Sequence, residues 1–394
     1  MTMAARFIDA HVIQSVPFAN LNRDDTNSVK TVLYGNALRT RVSSQSWKRA
    51  ARGVFEDRIG QAALRTRRIG ERVTRLLTEG RGWPLDLAEK AGAHAAAASS
   101  IKFELGKNPA DAKETIPNKV LTNAMVYVPE TAVAELGDLA EEYRDALQAA
   151  KDIKKPSDRS VLPTDRVEAV LRSRNGVINL FGRMLAEVDN AGVDGAVQVA
   201  HALTTHETDV ELDYFSAVDD VTANWGDQSG SGHMGHTEFS AGTFYRYATI
   251  DLRDLAANIG GNSTELRELA SAFLSAFIVS LPQAKKNSTA PHTIPDLAHI
   301  SVRADRPLSY AAAFERPVTA SGQGGFADTS RTTLAEYAEA ANRLLGTHGI
   351  IDSGWAGIDA KGLDGLGTRH KSFDTLITSA LNSALAAQLT GDRA

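Results

Sequence analysis

Residues 7–13 alternate, with Ile8, Ala10 and Val12 on one side and Phe7, Asp9, His11 and Ile13 on the other, which is the two-residue period of a half-buried strand. A short strand is expected next at 38–42, and behind it the period lengthens. Trp47, Ala50, Ala51, Val54 and Phe55 recur at i, i+3, i+4, i+7 and i+8, one apolar stripe on a helix that opens near Ser43. Over residues 61–190 helical periods are broken by turn signals at 80–84, Asn108, Pro109, Pro117, Pro156 and Pro163, so an insertion of several short helices is expected there. Alternation returns at 196–205 (Val197, Val199, Leu203) and at 243–252 (Phe244, Ala248, Ile250). Leu266, Leu269, Ala270, Phe273 and Phe277 mark a helix over 263–280, entered through Asn262 with Glu265 in its first turn. Ile300 and Val302 give a last strand at 299–303, and two later helices, near 332–345 and 372–389, are expected on the outside.

With the insertions set aside the order is strand, helix, strand, strand, helix, strand. That is the ferredoxin-like split βαβ, shared with RNA-recognition motifs, and it makes the fold class α+β. The connection over 206–241 is too long for an ordinary hairpin. It carries Tyr214, Phe215 and Trp225 before a Gly and Ser cluster, and it reads as a projecting arm with Gly230, Gly232 and Gly235 as its hinge.

At 394 residues and 43% hydrophobic, the chain can bury a large core in two or three units. The absence of cysteine excludes disulfides and thiolate metal sites. No apolar run approaches a membrane span and the first residues lack the core of a signal peptide, so no membrane partner and a cytoplasmic location are expected. A net charge of −5 argues against a nucleic-acid partner until its distribution is seen: twelve Lys or Arg stand against four acids between Arg39 and Arg81, a local +8. Lys48, Arg49 and Arg52 sit off the tryptophan stripe, next to a loop with Arg23 and Lys30. Ser43 and Gln45 add side-chain donors beside the free N–H groups of the helix entry, so the stretch suits a phosphate chain. A solvated basic face is the competing reading.

The other chemical signals are weaker. Gly230, Gly232 and Gly235 spell G-x-G-x-x-G, but a polar loop precedes them and a strand follows, the reverse of a dinucleotide-binding context, and no cofactor is expected. His201, His206, His233 and His236 flank the arm without the spacing of a metal site, and no G-x-S-x-G elbow is present. Asp24 and Asp25 read as a turn cap that orients Arg23; metal ligation by the pair is the rival. Tyr214 and Phe215 are adjacent in an acidic stretch, so in an extended chain they cannot share one face. They are read as base-stacking side chains, with a place in the core as the alternative. Lys151, Lys154 and Lys155 form a basic run in the insertion, either target-DNA contacts or a solvated helix end.

Leu21 to Asp25 (LNRDD) followed by Ser43 to Ala50 (SSQSWKRA), with VDGAVQVAHALTTH from Val193, DYFSAVDDV from Asp213 and EFSAGTFYRY from Glu238, resemble CasC, the backbone subunit family of the type I-E CRISPR Cascade complex. The resemblance spans most of the chain. It implies a hand: a palm from 1–60, 191–205 and 242–394, fingers from 61–190 and a thumb from 206–241. It also implies an apolar wedge at Met184. The function it implies is a non-catalytic RNA-binding subunit of antiviral defence that oligomerises head to tail along CRISPR guide RNA (crRNA), and presents it for pairing with target DNA. Arg23, Lys30, Ser43, Gln45, Lys48, Arg49 and Arg52 would hold the guide, while Met184, Tyr214 and Phe215 displace bases. Copies of itself and other Cascade subunits would be the protein partners. A metal-dependent RNA nuclease and a stand-alone RNA-binding regulator are the alternatives.

Overall fold

The first alternating run is the centre of the molecule's main sheet. In the computed structural model, which describes residues 4–107, 114–218, 231–346, 349–358 and 362–391, it forms β1 (Phe7–Ala19). Residues 7–14 are all buried, so this strand is covered on both faces rather than half-buried as its alternation suggests. The strands that follow are β2 (Thr31–Tyr34), β3 (Ala37–Val42), β4 (Ala63–Thr66), β5 (Phe103–Lys107), β6 (Thr115–Thr122), β7 (Val126–Pro129), β8 (Val197–Val199), β9 (Ala202–Thr204), β10 (Glu211–Val218), β11 (Ser231–Asp251), β12 (Leu297–Arg303), β13 (Ile350–Gly357) and β14 (Thr368–Arg369). Ten of them make one sheet in the order β14-β13-β12-β1-β11-β9-β3-β2, with β8 and β10 also paired to β11. β1 is antiparallel to both β11 and β12.

The chain divides into two compact units, one of Met1–Phe55, Val197–Arg253 and Ser263–Ala394, the other of Glu56–Ala196 and Asp254–Asn262. In the first unit the predicted tryptophan stripe does its expected work: Trp47, Ala51 and Phe55 of the helix Ser44–Ile59 are buried. Trp47 packs with Val16, Val42 and Phe244. The guanidinium of Arg246, itself buried, lies 4.2 Å from the Trp47 ring centroid and donates to the carbonyls of Phe277 and Ile278. Those carbonyls belong to the end of the helix Ser263–Val279, so one arginine joins strand and helix.

The strand expected last, at 299–303, is β12, yet β13 and β14 follow it. The β13 sequence, IIDSGWAG, does not alternate and sets Asp, Ser and two Gly among its strand-forming Ile and Trp, and its place is fixed by seven cross-strand partners on β12. The run at 196–205 is two strands rather than one, broken where Ala200 turns its N–H to Tyr247.

The insertion in the second unit is not purely helical. β4 pairs with β7 and β5 with β6, among helices that include Ile69–Arg75, Leu85–Ala97, Ala132–Glu142 and Thr164–Arg172. β6 reads TIPNKVLT; Pro117 and Asn118, expected as a turn, sit where its register with β5 shifts, and Asn118 holds a left-handed φ of 60° and gives its N–H to Ile153 instead. Val73, Leu77, Trp83, Leu136 and Leu147 form this unit's core. Among the described residues, no helix is long and apolar enough to cross a membrane.

Candidate nucleic-acid interface

The arm is a β-hairpin grown out of the sheet. β11 is a single strand of 21 residues: its first part pairs with β10, and from Ser240 to Asp251 it pairs with β1. Gly235, expected in a hinge, is therefore in register opposite Phe215, and Gly232 also lies within β11. The missing side chain of Gly235 has a packing reason, since a Cβ there would come within 2.6 Å of the Phe215 ring. Trp225, Gly230 and the turn expected at Asn108 and Pro109 lie outside the described residues.

Tyr214 is 75% exposed and Phe215 48%, so neither is a core residue. Because successive side chains of a strand alternate, the two leave β10 on opposite faces. Phe215 lines a cavity of about 520 Å³ together with Arg23, Asp213, Phe239 and Lys285. Phe239 is buried at its root, with the Lys285 ammonium 5.3 Å from its ring centroid. Burial, and then the nearby Arg23, push the Lys285 pKa down. Lys285 also holds a left-handed backbone, φ 50°, a conformation that a side chain makes unfavourable and that surroundings must enforce. The cavity thus joins the exposed Phe215 ring and the buried Phe239 with two cations, Arg23 and Lys285, and two acids, Asp213 and Glu238; the Phe215 ring and the cations are the groups that suit a base together with its phosphate.

The loop before β2 ties this cavity to the helix entry. Glu238 on β11 accepts the Val29 N–H at 3.0 Å, and Asn20 donates to the Glu238 carbonyl. Asp24 accepts from the Thr26 and Ser28 N–H groups and from the Thr26 hydroxyl, which holds its carboxyl below the usual range. Asp24 therefore caps a turn as expected, but Arg23 is oriented by Asn27 at 2.9 Å instead. The Asn22 carboxamide accepts the Ser43 N–H at 2.9 Å, and Lys30 donates its backbone N–H to the Asn22 carbonyl.

At the helix entry Ser43 is buried and acts as the cap, its hydroxyl accepting from the Ser46 N–H at 3.3 Å. Gln45 and Arg49 are exposed, Lys48 and Arg52 half-buried. His201 supplies a contact the sequence did not announce: its Nδ1 accepts from the Ser44 N–H at 3.0 Å and lies 3.3 Å from the Arg41 guanidinium. Burial, then Arg41 and Lys30, lower its pKa and keep it a neutral acceptor. His206 is buried, stacks on Phe326 at 3.6 Å and accepts the Thr243 N–H. Arg41, Phe239 and Lys285 were missed, and His201 figures in the sequence only as a candidate metal ligand; of the missed three, only Lys285, in the pair Lys285 and Lys286 beyond a helix, carries a legible signal.

The basic run from Arg39 to Arg81 does not make one stripe. Arg39 is buried and donates to the carbonyls of Thr204, Phe314 and Glu315. Arg67, Arg68, Arg72, Arg75 and Arg81 form ion pairs with Glu104, Glu71, Glu130, Glu79 and Asp138. Glu71 and Glu79 belong to the linear count, but Glu104, Glu130 and Asp138 lie too far along the chain for it to include them.

Met184 and the three insertion lysines belong to the second unit. Met184 is 92% exposed in a loop. Lys151, Lys154 and Lys155 are exposed, also in a loop rather than at a helix end, where Asp158 accepts the N–H groups of Lys154 and Lys155. Lys154 is 3.9 Å from Asp152.

A family model described as CT1975-like protein matches residues 8–379. No curated protein matches the chain. Among solved structures, a chain of a "CRISPR RNA-guided surveillance complex, pre-nicking" is 44% identical, with a TM-score of 0.85 over 96% of this chain and 100% of that one. Another, from a "CRISPR RNA-guided surveillance complex", is 38% identical, with a TM-score of 0.76 and the same coverage of both chains.

Proposed function

The chain belongs to the CT1975-like protein family, and from that premise we propose that it is a non-catalytic backbone subunit of a CRISPR surveillance complex, which oligomerises along guide RNA and presents it for pairing with target DNA. The first unit is the palm. Its sheet contains the run β12-β1-β11-β9, the strand order of a ferredoxin-like core, with extra strands on both edges. The second unit is the fingers and the β10–β11 hairpin the thumb.

The observation that carries the reading is the cavity at the root of the arm, where Arg23 and Lys285 stand beside Phe215 and Phe239. Arg23, Lys30, Gln45, Lys48, Arg49 and Arg52 hold the phosphate chain, while Ser43, expected among them, is buried and caps the helix entry behind them, and Tyr214, Phe215 and Met184 interrupt base stacking. Rings and thioethers contact the faces that all bases share, so sequence is left to base pairing. Copies placed head to tail make a heterologous interface that need not close, as a linear template requires. Other subunits of the complex are its further partners. Asp24, whose carboxylate is engaged by Thr26 and Ser28, supports a structural role for that pair over metal ligation.

The test is size and cargo together. Purified protein should elute as a large particle with RNA of uniform length. Monomers that cleave RNA when Mg²⁺ is added would replace this reading with a nuclease, and monomers that bind RNA without assembling would replace it with a stand-alone regulator.

A further inference from the structure

The loop that carries Met184 is built more rigidly than an exposed loop needs to be. Gly182 ends the helix Gly176–Phe181 at φ 78°, and a Cβ there would meet the Gly195 backbone at 2.6 Å; one on Gly195 would meet the Phe181 carbonyl oxygen at 2.8 Å. The chain leaves as Arg183 and returns as Val193, each donating its N–H to the other's carbonyl at 2.8 Å. Between these limbs Leu185, Val188 and Ala191 are buried. Burial of the residues on either side leaves Met184 only the outward direction.

Arg183 locks this arrangement. It is 3% exposed, and its guanidinium donates to four backbone carbonyls: Nε to Ala191 at 2.7 Å, Nη1 to Ser173 at 2.8 Å and to Tyr127 at 3.2 Å, and Nη2 to Arg172 at 3.0 Å. These acceptors lie on the returning limb, on β7 and at the end of the helix Thr164–Arg172. Burial, with Arg174 nearby, pushes its pKa down to about 10, and the four carbonyls are what favour its charged form there. Lysine offers one nitrogen and cannot span three separate acceptor groups in a plane.

We propose that Arg183 is the positioning residue of a nucleic-acid wedge: by tying the loop to β7 and to the Thr164–Arg172 helix, it presents Met184 to a nucleobase from a fixed backbone. A wedge on a loose loop would lose backbone freedom on every contact, and pre-ordering removes that cost. This inference rests on the RNA-holding function proposed above.

The experiment compares the assembled ribonucleoprotein with its Met184→Ala and Arg183→Lys forms by base-resolved chemical probing, thermal melting and the salt dependence of RNA binding. Met184→Ala should change reactivity several-fold at regularly spaced bases. Arg183→Lys, with Met184 present, should change the same bases and leave the salt slope as it was. A wild-type pattern in Arg183→Lys beside a changed one in Met184→Ala overturns the positioning role and leaves the wedge standing; a wild-type pattern in Met184→Ala overturns the wedge itself. Uniform weakening of RNA binding in Arg183→Lys, with no change confined to those bases, shows a merely structural arginine and also overturns the proposal. If Arg183→Lys does not fold, Gly195→Ala displaces the same loop with Arg183 intact: it should reproduce the Met184→Ala pattern, and a wild-type pattern refutes the inference.

Discussion

Tyr214 and Phe215 are neighbours on β10 with different surroundings, so their substitutions should separate. Phe215 covers Gly235, and Phe215→Ala should lower both the melting temperature and RNA affinity. Tyr214→Ala should lower affinity alone, by about 1–3 kcal/mol for a stacked base, equally for guides of any sequence. Early melting of Tyr214→Ala would show that its ring serves packing instead. A second residue-scale prediction concerns acid. His299 is fully buried and burial pushes its pKa to about 4; His11, stacked 5.3 Å away, is lowered as well. A group depressed in the folded state gives stability that is whole above its ordinary value of 6.5 and lost as pH falls towards 4. Asp9, raised by burial to about 6, acts in the opposite sense and offsets part of this, since its folded form takes up a proton first. Two histidines outweigh one aspartate, so the protein should lose stability between pH 6.5 and 5. His299→Gln should lose less, by up to about 2 kcal/mol at pH 5, taking about 1.4 kcal/mol per pH unit; equal losses in both proteins would remove His299 from the account.

What could be read of each element before any coordinates depended on whether its reason is local. The stripe of Trp47, Ala51 and Phe55 and the alternation of β1 are local and were legible. β13 and the ends of β6 are strands because a neighbour pairs with them, and neither IIDSGWAG nor TIPNKVLT carries the alternation that would announce a strand. The candidate site divides the same way: Arg23 and Phe215 stood out, whereas Phe239 and Lys285 join them only because β11 and a loop after the helix Ser263–Val279 are brought together. The basic run is the sharpest case, because residues from Arg67 onward are matched by acids of the second unit. This yields a paired prediction. Lys48→Ala with Arg52→Ala should lower the salt slope of RNA binding by about 1.4, taking roughly 0.7 per single-strand phosphate contact. Arg68→Ala with Arg75→Ala, whose partners are Glu71 and Glu79, should leave the slope unchanged. Equal slopes in the two double variants would show that the Ser43 helix holds no phosphate.

At the scale of the whole molecule, each copy carries −5, so a row of copies accumulates like charge unless a polyanion-binding groove gives it another reason to form. Ribonuclease treatment should therefore disperse the large particle into folded subunits with an unchanged near-UV spectrum, and a particle that keeps its size after complete RNA removal would show assembly driven by protein contacts alone. The continuity of β11 bears on how such a subunit responds to load. From Ser240 inward the strand is clamped by β1 along one edge and by β8 and β9 along the other; Glu238 and Phe239 are still held by Val29, Asn20 and Lys285, and beyond them β10 is the strand's partner among the described residues. In mechanical terms the arm is a cantilever. A door on a hinge swings without resistance and stays where it is left, whereas a beam fixed at one end pushes back. Under the proposed function, a nucleobase that deflects the paired strands β10 and β11 would work against a spring seated in the central sheet, and the arm would recoil when the nucleic acid is withdrawn.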